Sequence, residues 1–142
     1  MNSYRKYDVI IVGAGPAGIF AAMELTAKSK ARVLMIDKGS PLEKRSCKTQ
    51  KEYGRCLRCD PCAITCGWGG AGAFSDGKLT LTPSFGGLLE DYVDRNLVET
   101  LINEVDQTYL SFGATEEVFG TDTDAVKNME RLSAAAGLKE SS

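Results

Sequence analysis

The sequence predicts an α/β fold that opens with a β-strand, an α-helix and a second, parallel strand. Three observations predict it. In "YDVIIVGAGPAGIF" a four-residue β-branched run leads straight into a glycine-rich turn and an alanine-rich segment. One helix length later a second apolar run, Val33–Ile36, ends in Asp37. Finally, 142 residues with 43% hydrophobic and 25% charged side chains suit a globular chain with a core of its own.

Residues 9–12 read as a buried parallel strand. The run Gly13-Ala14-Gly15-Pro16-Ala17-Gly18 then has the GxGxxG spacing and leads into a helix through about Ser29. Each small residue has a mechanical reason. Gly13 permits the tight turn, Gly15 lets backbone approach a pyrophosphate, and Gly18 lets helix and strand pack closely. Pro16 suits the first helical turn, where its missing N–H costs nothing. The helix N-terminus, with Ala17 in its first turn, presents N–H groups and partial positive charge to phosphates. Asp37 stands 24 residues after Gly13, at the end of the second strand, where a ribose 2′-hydroxyl would donate to it. Lys38 beside it is expected to be a further cofactor contact. An acid at this point disfavours a 2′-phosphate, so NADP is not expected here, while FAD and NAD both fit the motif. The unit is Rossmann-like and spans residues 7–38.

After Asp37 the chain shows no clear periodicity up to residue 86, and loops of that length are usually functional. Within it, "GWGGAGAFSDGK" carries Gly67, Gly69, Gly70, Gly72 and Gly77. Such density lets backbone come against a ligand and turns N–H groups toward an anion. Trp68 and Phe74 speak against a flexible linker. Cofactor contact is expected at Gly69, Gly70, Ala71 and Gly72.

Just before this run, Cys56, Cys59, Cys62 and Cys66 follow C-x2-C-x2-C-x3-C, the spacing of bacterial ferredoxin clusters. Gly67 replaces the usual proline, no second set of cysteines exists, and Cys47 is the one spare thiol. Four uses stay open: an iron–sulfur cluster, a zinc site, redox-active thiols, or inert cysteines.

Together, "DVIIVGAGPAG", the "C..C..C...CGWGGAGAFSDGKL" loop and the following "FGG" resemble the FAD-dependent dehydrogenase family of two-dinucleotide-binding-domain flavoproteins. The match runs over residues 7–90. The resemblance implies that the first βαβ unit holds the ADP half of FAD and that Gly69–Gly72 meet the pyrophosphate and the flavin side. It also implies a much longer protein, of which this chain is the N-terminal part, so the fold is a partial FAD-binding domain. The implied function is FAD-dependent oxidoreduction, with a small-molecule substrate or electron carrier the sequence does not specify. Two alternatives are a non-enzymatic iron–sulfur or zinc module on a nucleotide-binding scaffold, and an NAD-dependent dehydrogenase fragment.

Residues 87–142 read as a mainly helical segment. Leu89, Val93, Leu97, Leu101, Val105 and Tyr109 recur four apart, widened by Leu88, Tyr92, Val98 and Ile102, which predicts one amphipathic helix over 87–112 packed on a core. A second helix is expected over 122–136, capped by Thr121 or Thr123 and stopped by Gly137.

Charge and composition exclude several classes. A net charge of −2 and a pI near 5.2 give no reason to expect nucleic acid. Residues 28–58 hold ten Lys or Arg against three acids, and residues 90–124 hold ten acids against Arg95; both read as solvated faces. No apolar run reaches a membrane span, and the four-residue run near the N-terminus is too short for a signal peptide, so a cytoplasmic protein is expected. The chain contains no histidine, which removes Ser-His and Cys-His catalysis. No residue is assigned as catalytic acid or base; Asp76 and Lys78 are candidates only through their place in the glycine loop.

Overall fold

A computed structural model describes residues 6–47, 52, 54–84 and 87–138. Phe85 and Gly86, the first two residues of the "FGG" motif, lie outside the described residues, as does part of the polar segment before the cysteines. The chain divides into two compact units, Met1–Lys78 and Leu79–Ser142.

The first unit is built on the expected strand–helix–strand. Strand β1 (Val9–Val12) pairs in parallel with β2 (Val33–Ile36), in register Val9↔Val33 through Val12↔Ile36. Helix α1 (Pro16–Lys28) joins them and packs against both. The Gly13 N–H extends the ladder to the Ile36 carbonyl at 2.7 Å, which holds the turn on the sheet end. Lys28 lies in the last turn of α1, where its charge suits the helix dipole, and the Ser29 N–H closes the helix on the Leu25 carbonyl.

The strands are less buried than their β-branched composition predicts. Val9 and Ile11 are half-covered, whereas Ile10, Val12 and Ile36 are exposed. Successive strand side chains point to opposite faces, and α1 packs on these strands. The buried points of the described residues lie elsewhere, at Ala14 in the glycine turn, at Gly67 and Gly70, at Val98 and at the Arg45 side chain.

Among the described residues, two short 3₁₀ turns interrupt the long segment that sequence periodicity leaves without structure: Leu42–Lys44 and Gly70–Phe74. The second is the glycine run itself. It starts from Gly69 at φ +83°, a left-handed conformation natural to glycine, and closes with Ser75 N–H on the Gly72 carbonyl.

The second unit corrects the helix expected over 87–112. Leu89–Asp91 forms a 3₁₀ turn, and the α-helix, α2, spans Arg95–Ser111. The break falls at Asp94, whose extended backbone and side chain cap the helix by accepting the Leu97 N–H at 3.0 Å. A carboxylate at that position satisfies an orphan donor of the first turn, and this outweighs a leucine stripe that runs on through the break. Helix α3 (Thr123–Ala135) starts where expected, but its cap is Asp122 rather than Thr121 or Thr123. Asp122 Oδ1 accepts from both the Asp124 and Ala125 N–H groups, and a charged acceptor that serves two first-turn donors favours it over a hydroxyl. Gly137 follows the last turn as predicted, with Leu138 N–H returning to the Ser133 carbonyl. The stripe of α2 is covered only in part: Val98 is buried, while Leu97, Leu101 and Tyr109 are exposed. Among the described residues no helix is long and apolar enough to cross a membrane.

Candidate dinucleotide site

Three glycines of the GxGxxG turn separate by physical role. Gly13 adopts φ +111°, which an L side chain rarely does. Gly18 has no such backbone, but a Cβ there would overlap the Gly13 carbonyl oxygen and stand 3.3 Å from Ile11 Cγ2, so helix and strand meet through it. Gly15 needs glycine for neither reason. It caps α1 at φ −77° and ψ 179°, ordinary extended backbone, and the nearest atom to a Cβ would be Gly70 Cα at 3.9 Å. Pro16 follows at the first helical position and Ala17 is exposed beside it.

The glycine run predicted to contact the cofactor lies against this turn. Gly69 N–H donates to the Ala14 carbonyl at 2.8 Å. A Cβ on Gly70 would come to 3.0 Å from Gly15 Cα, and one on Gly72 to 3.4 Å from Pro16 Cγ. Two stretches more than fifty residues apart thus meet backbone to backbone at the N-terminus of a 13-residue helix.

Asp37 ties the two together. Its Oδ2 accepts the Ala14 N–H at 2.8 Å and its Oδ1 the Gly39 N–H at 2.8 Å. These two backbone donors, Ala14 first, hold the carboxyl below its usual range, with Arg45 adding a smaller attraction. A carboxylate offers about four lone-pair sites, so two internal donors leave room for another, which a ribose hydroxyl would fill. Lys38 turns to Asp60, Nζ to Oδ1 3.2 Å, and this pair first and then Cys66 raises its pKa. Asp76 and Lys78 pair with each other at 3.0 Å and are exposed, which makes them a local surface pair.

Sequence reading missed Arg45. It is 5% exposed, and its guanidinium donates to four main-chain carbonyls: Nε to Ala63 at 3.0 Å, Nη1 to Trp68 at 2.5 Å, and Nη2 to Ile64 at 2.5 Å and Gly70 at 2.8 Å. The Phe74 ring lies 4.8 Å from the guanidinium carbon. Nothing in its neighbourhood in sequence marks it, because its partners lie 18 to 25 residues away.

The cysteines differ in exposure. Cys56 and Cys59 are exposed, and Cys47, Cys62 and Cys66 are half-buried. Among the described residues no three Cys, Asp or Glu side chains come together in a group that would hold a metal ion. Cys62 differs from the others in its surroundings. The Thr65 hydroxyl, the Ile64 and Thr65 N–H groups and the Arg45 charge, in that order, lower its pKa. A favoured thiolate is what both a metal ligand and a redox nucleophile require.

Parts of this chain are similar to known proteins. An uncharacterized protein of Clostridium beijerinckii is 42% identical over 76 residues, which cover 53% of this chain and 14% of that protein. An uncharacterized protein of Methanosarcina barkeri is 65% identical over 40 residues, 28% of this chain and 10% of its relative. The thioredoxin reductase of Bacillus subtilis is 49% identical over 41 residues, 29% of this chain and 13% of the reductase. The chain therefore aligns with between a tenth and a seventh of the length of these relatives. No solved structure matches. The model of one family, pyridine nucleotide-disulphide oxidoreductase, matches residues 7–129, from the first strand through the glycine run and α2 into α3. With a βαβ start, a glycine turn and a match over most of its length, the chain belongs to the pyridine nucleotide-disulphide oxidoreductase family.

Proposed function

We propose that this chain forms the pyrophosphate- and ribose-binding part of an FAD site in an oxidoreductase. The observation that carries the reading is Gly15. Its backbone is ordinary and space for a side chain exists, so the protein's own packing gives no reason for a glycine there. A pyrophosphate lying against that backbone does. The Ala17 and Gly18 N–H groups in the first turn of α1 would face the phosphates, and the run Gly69–Gly72 would form the opposite wall toward the flavin. Asp37 would brace the turn and offer its remaining lone pair to the adenosine ribose. When bound, FAD supplies hydride or electron transfer; the protein's share is binding and orientation. Substrate oxidation by the intact protein follows from this reading, and the family membership supports it.

The test is to purify the intact protein, record its visible absorption, and identify the nucleotide released on denaturation. Released FAD supports the proposal. A colourless protein whose apo form binds NAD but not FAD would replace it with the nicotinamide reading.

A further inference from the structure

Arg45 is the one charged side chain buried among the described residues, and neither the glycine motif nor the cysteine motif contains it. Its effect on the glycine run follows from peptide geometry. In a trans peptide the C=O and the next residue's N–H point in opposite directions. A Trp68 carbonyl aimed at Arg45 therefore turns the Gly69 N–H away from it, and that N–H meets the Ala14 carbonyl at 2.8 Å. The Gly70 carbonyl, also on Arg45, turns the Ala71 N–H away in the same manner. Asp37 meanwhile fixes the turn that faces the loop, accepting the Ala14 N–H, while Arg45 takes the loop carbonyls. A glycine-dense run loses more conformational freedom on ordering than any other sequence, so it needs such a clamp to keep one shape.

We propose that Arg45 is a positioning residue for the dinucleotide site: its fork holds the Trp68 and Gly70 carbonyls so that the glycine run stands against Gly15 as the second wall of the phosphate site. Arg45 itself touches no phosphate in this arrangement. The inference rests on the FAD reading and adds to it the residue that shapes the loop. A lysine keeps the charge but not the planar fork, and one ammonium cannot span four carbonyls that a guanidinium reaches from three nitrogens.

The test uses the intact protein stripped of flavin, in wild-type, Arg45→Lys and Arg45→Ala forms. FAD affinity is measured by titration, and the stability of each apo form by denaturant unfolding. We expect Arg45→Lys to weaken FAD binding about a hundred-fold, the loss of one or two hydrogen bonds from a charged donor. Millimolar methylguanidinium should restore binding to Arg45→Ala, and methylammonium should not. In wild-type protein, FAD should slow amide exchange across residues 67–72. Wild-type affinity in Arg45→Lys, equal rescue by methylammonium, or amide exchange at 67–72 that ignores FAD would each overturn the inference while leaving the FAD reading standing. Wild-type protein that fails to bind FAD would overturn both.

Discussion

Gly15 and Gly18 lie three residues apart in one turn, and the same substitution should have opposite consequences at the two. At Gly18 a methyl group would overlap the Gly13 carbonyl oxygen and crowd Gly13 C at 3.2 Å and Ile11 Cγ2 at 3.3 Å. Two of those three atoms are backbone, so α1 has to move off β1. Overpacking of this kind costs about 1–3 kcal/mol. That is a large share of a domain's roughly 5–15 kcal/mol. For a chain of this length the melting temperature of Gly18→Ala should fall by about 4–12 °C. At Gly15 a methyl group meets nothing closer than 3.9 Å on backbone any residue adopts. Gly15→Ala should therefore stay within about 0.5 kcal/mol of wild type. Its cost appears in binding, because the methyl occupies the approach of the pyrophosphate to the helix N-terminus. Losing two charge-assisted bonds there weakens FAD by about a hundred-fold or more, and Gly15→Val should abolish binding. Melting of the apo forms followed by far-UV circular dichroism, with FAD titrations beside it, reads both effects. The reasoning fails if Gly15→Ala binds FAD like wild type, or if Gly18→Ala melts with it.

Other consequences follow from single side chains. Asp37→Ala should weaken FAD by about ten- to a hundred-fold in the same titration, the loss of one hydrogen bond to a charged group together with the brace on the turn. Because the folded protein holds the Asp37 carboxyl low, its stabilising effect is complete above the unfolded carboxylate value and disappears as pH falls through the lower folded one. The stability gap between wild type and Asp37→Asn should thus stay constant from neutral pH to about 5 and close below about 4; urea unfolding across that range checks it, and a gap that widens in acid would contradict it. Asp94→Ala removes the cap of α2 and should cost about 1 kcal/mol, seen as faster hydrogen exchange at the Leu97 amide. Cys59 is exposed and distant in sequence from the glycine turn, so Cys59→Ser should leave FAD affinity within about two-fold, less than the 1.4 kcal/mol of a ten-fold change. Iron, sulfide and zinc assays on the same anaerobically purified samples report what the four clustered thiols hold, and a metal lost with Cys59 would assign them as its ligands.

Local pattern in the sequence determined the strand–turn–helix–strand opening. Four β-branched residues, three spaced glycines and a proline at a helix start each act within a few residues of themselves, and the observed bounds of β1, α1 and β2 follow them. The caps Asp94 and Asp122 were equally local, but a four-residue leucine spacing and nearby threonines masked them; a carboxylate in reach of one or two first-turn amides decides where a helix begins. The shape of the long loop was not local at all. Its glycines have no periodicity, and what orders them is a buried guanidinium 18 to 25 residues away and a carboxylate that reaches both Ala14 and Gly39. The distinct reasons for Gly13, Gly15 and Gly18 likewise became visible only with neighbours in place, because a missing Cβ means something different beside a carbonyl oxygen than beside open space. Sequence pattern reports interactions between residues close along the chain. The candidate site is instead assembled from two stretches more than fifty residues apart, and only tertiary structure brings Gly70 against Gly15.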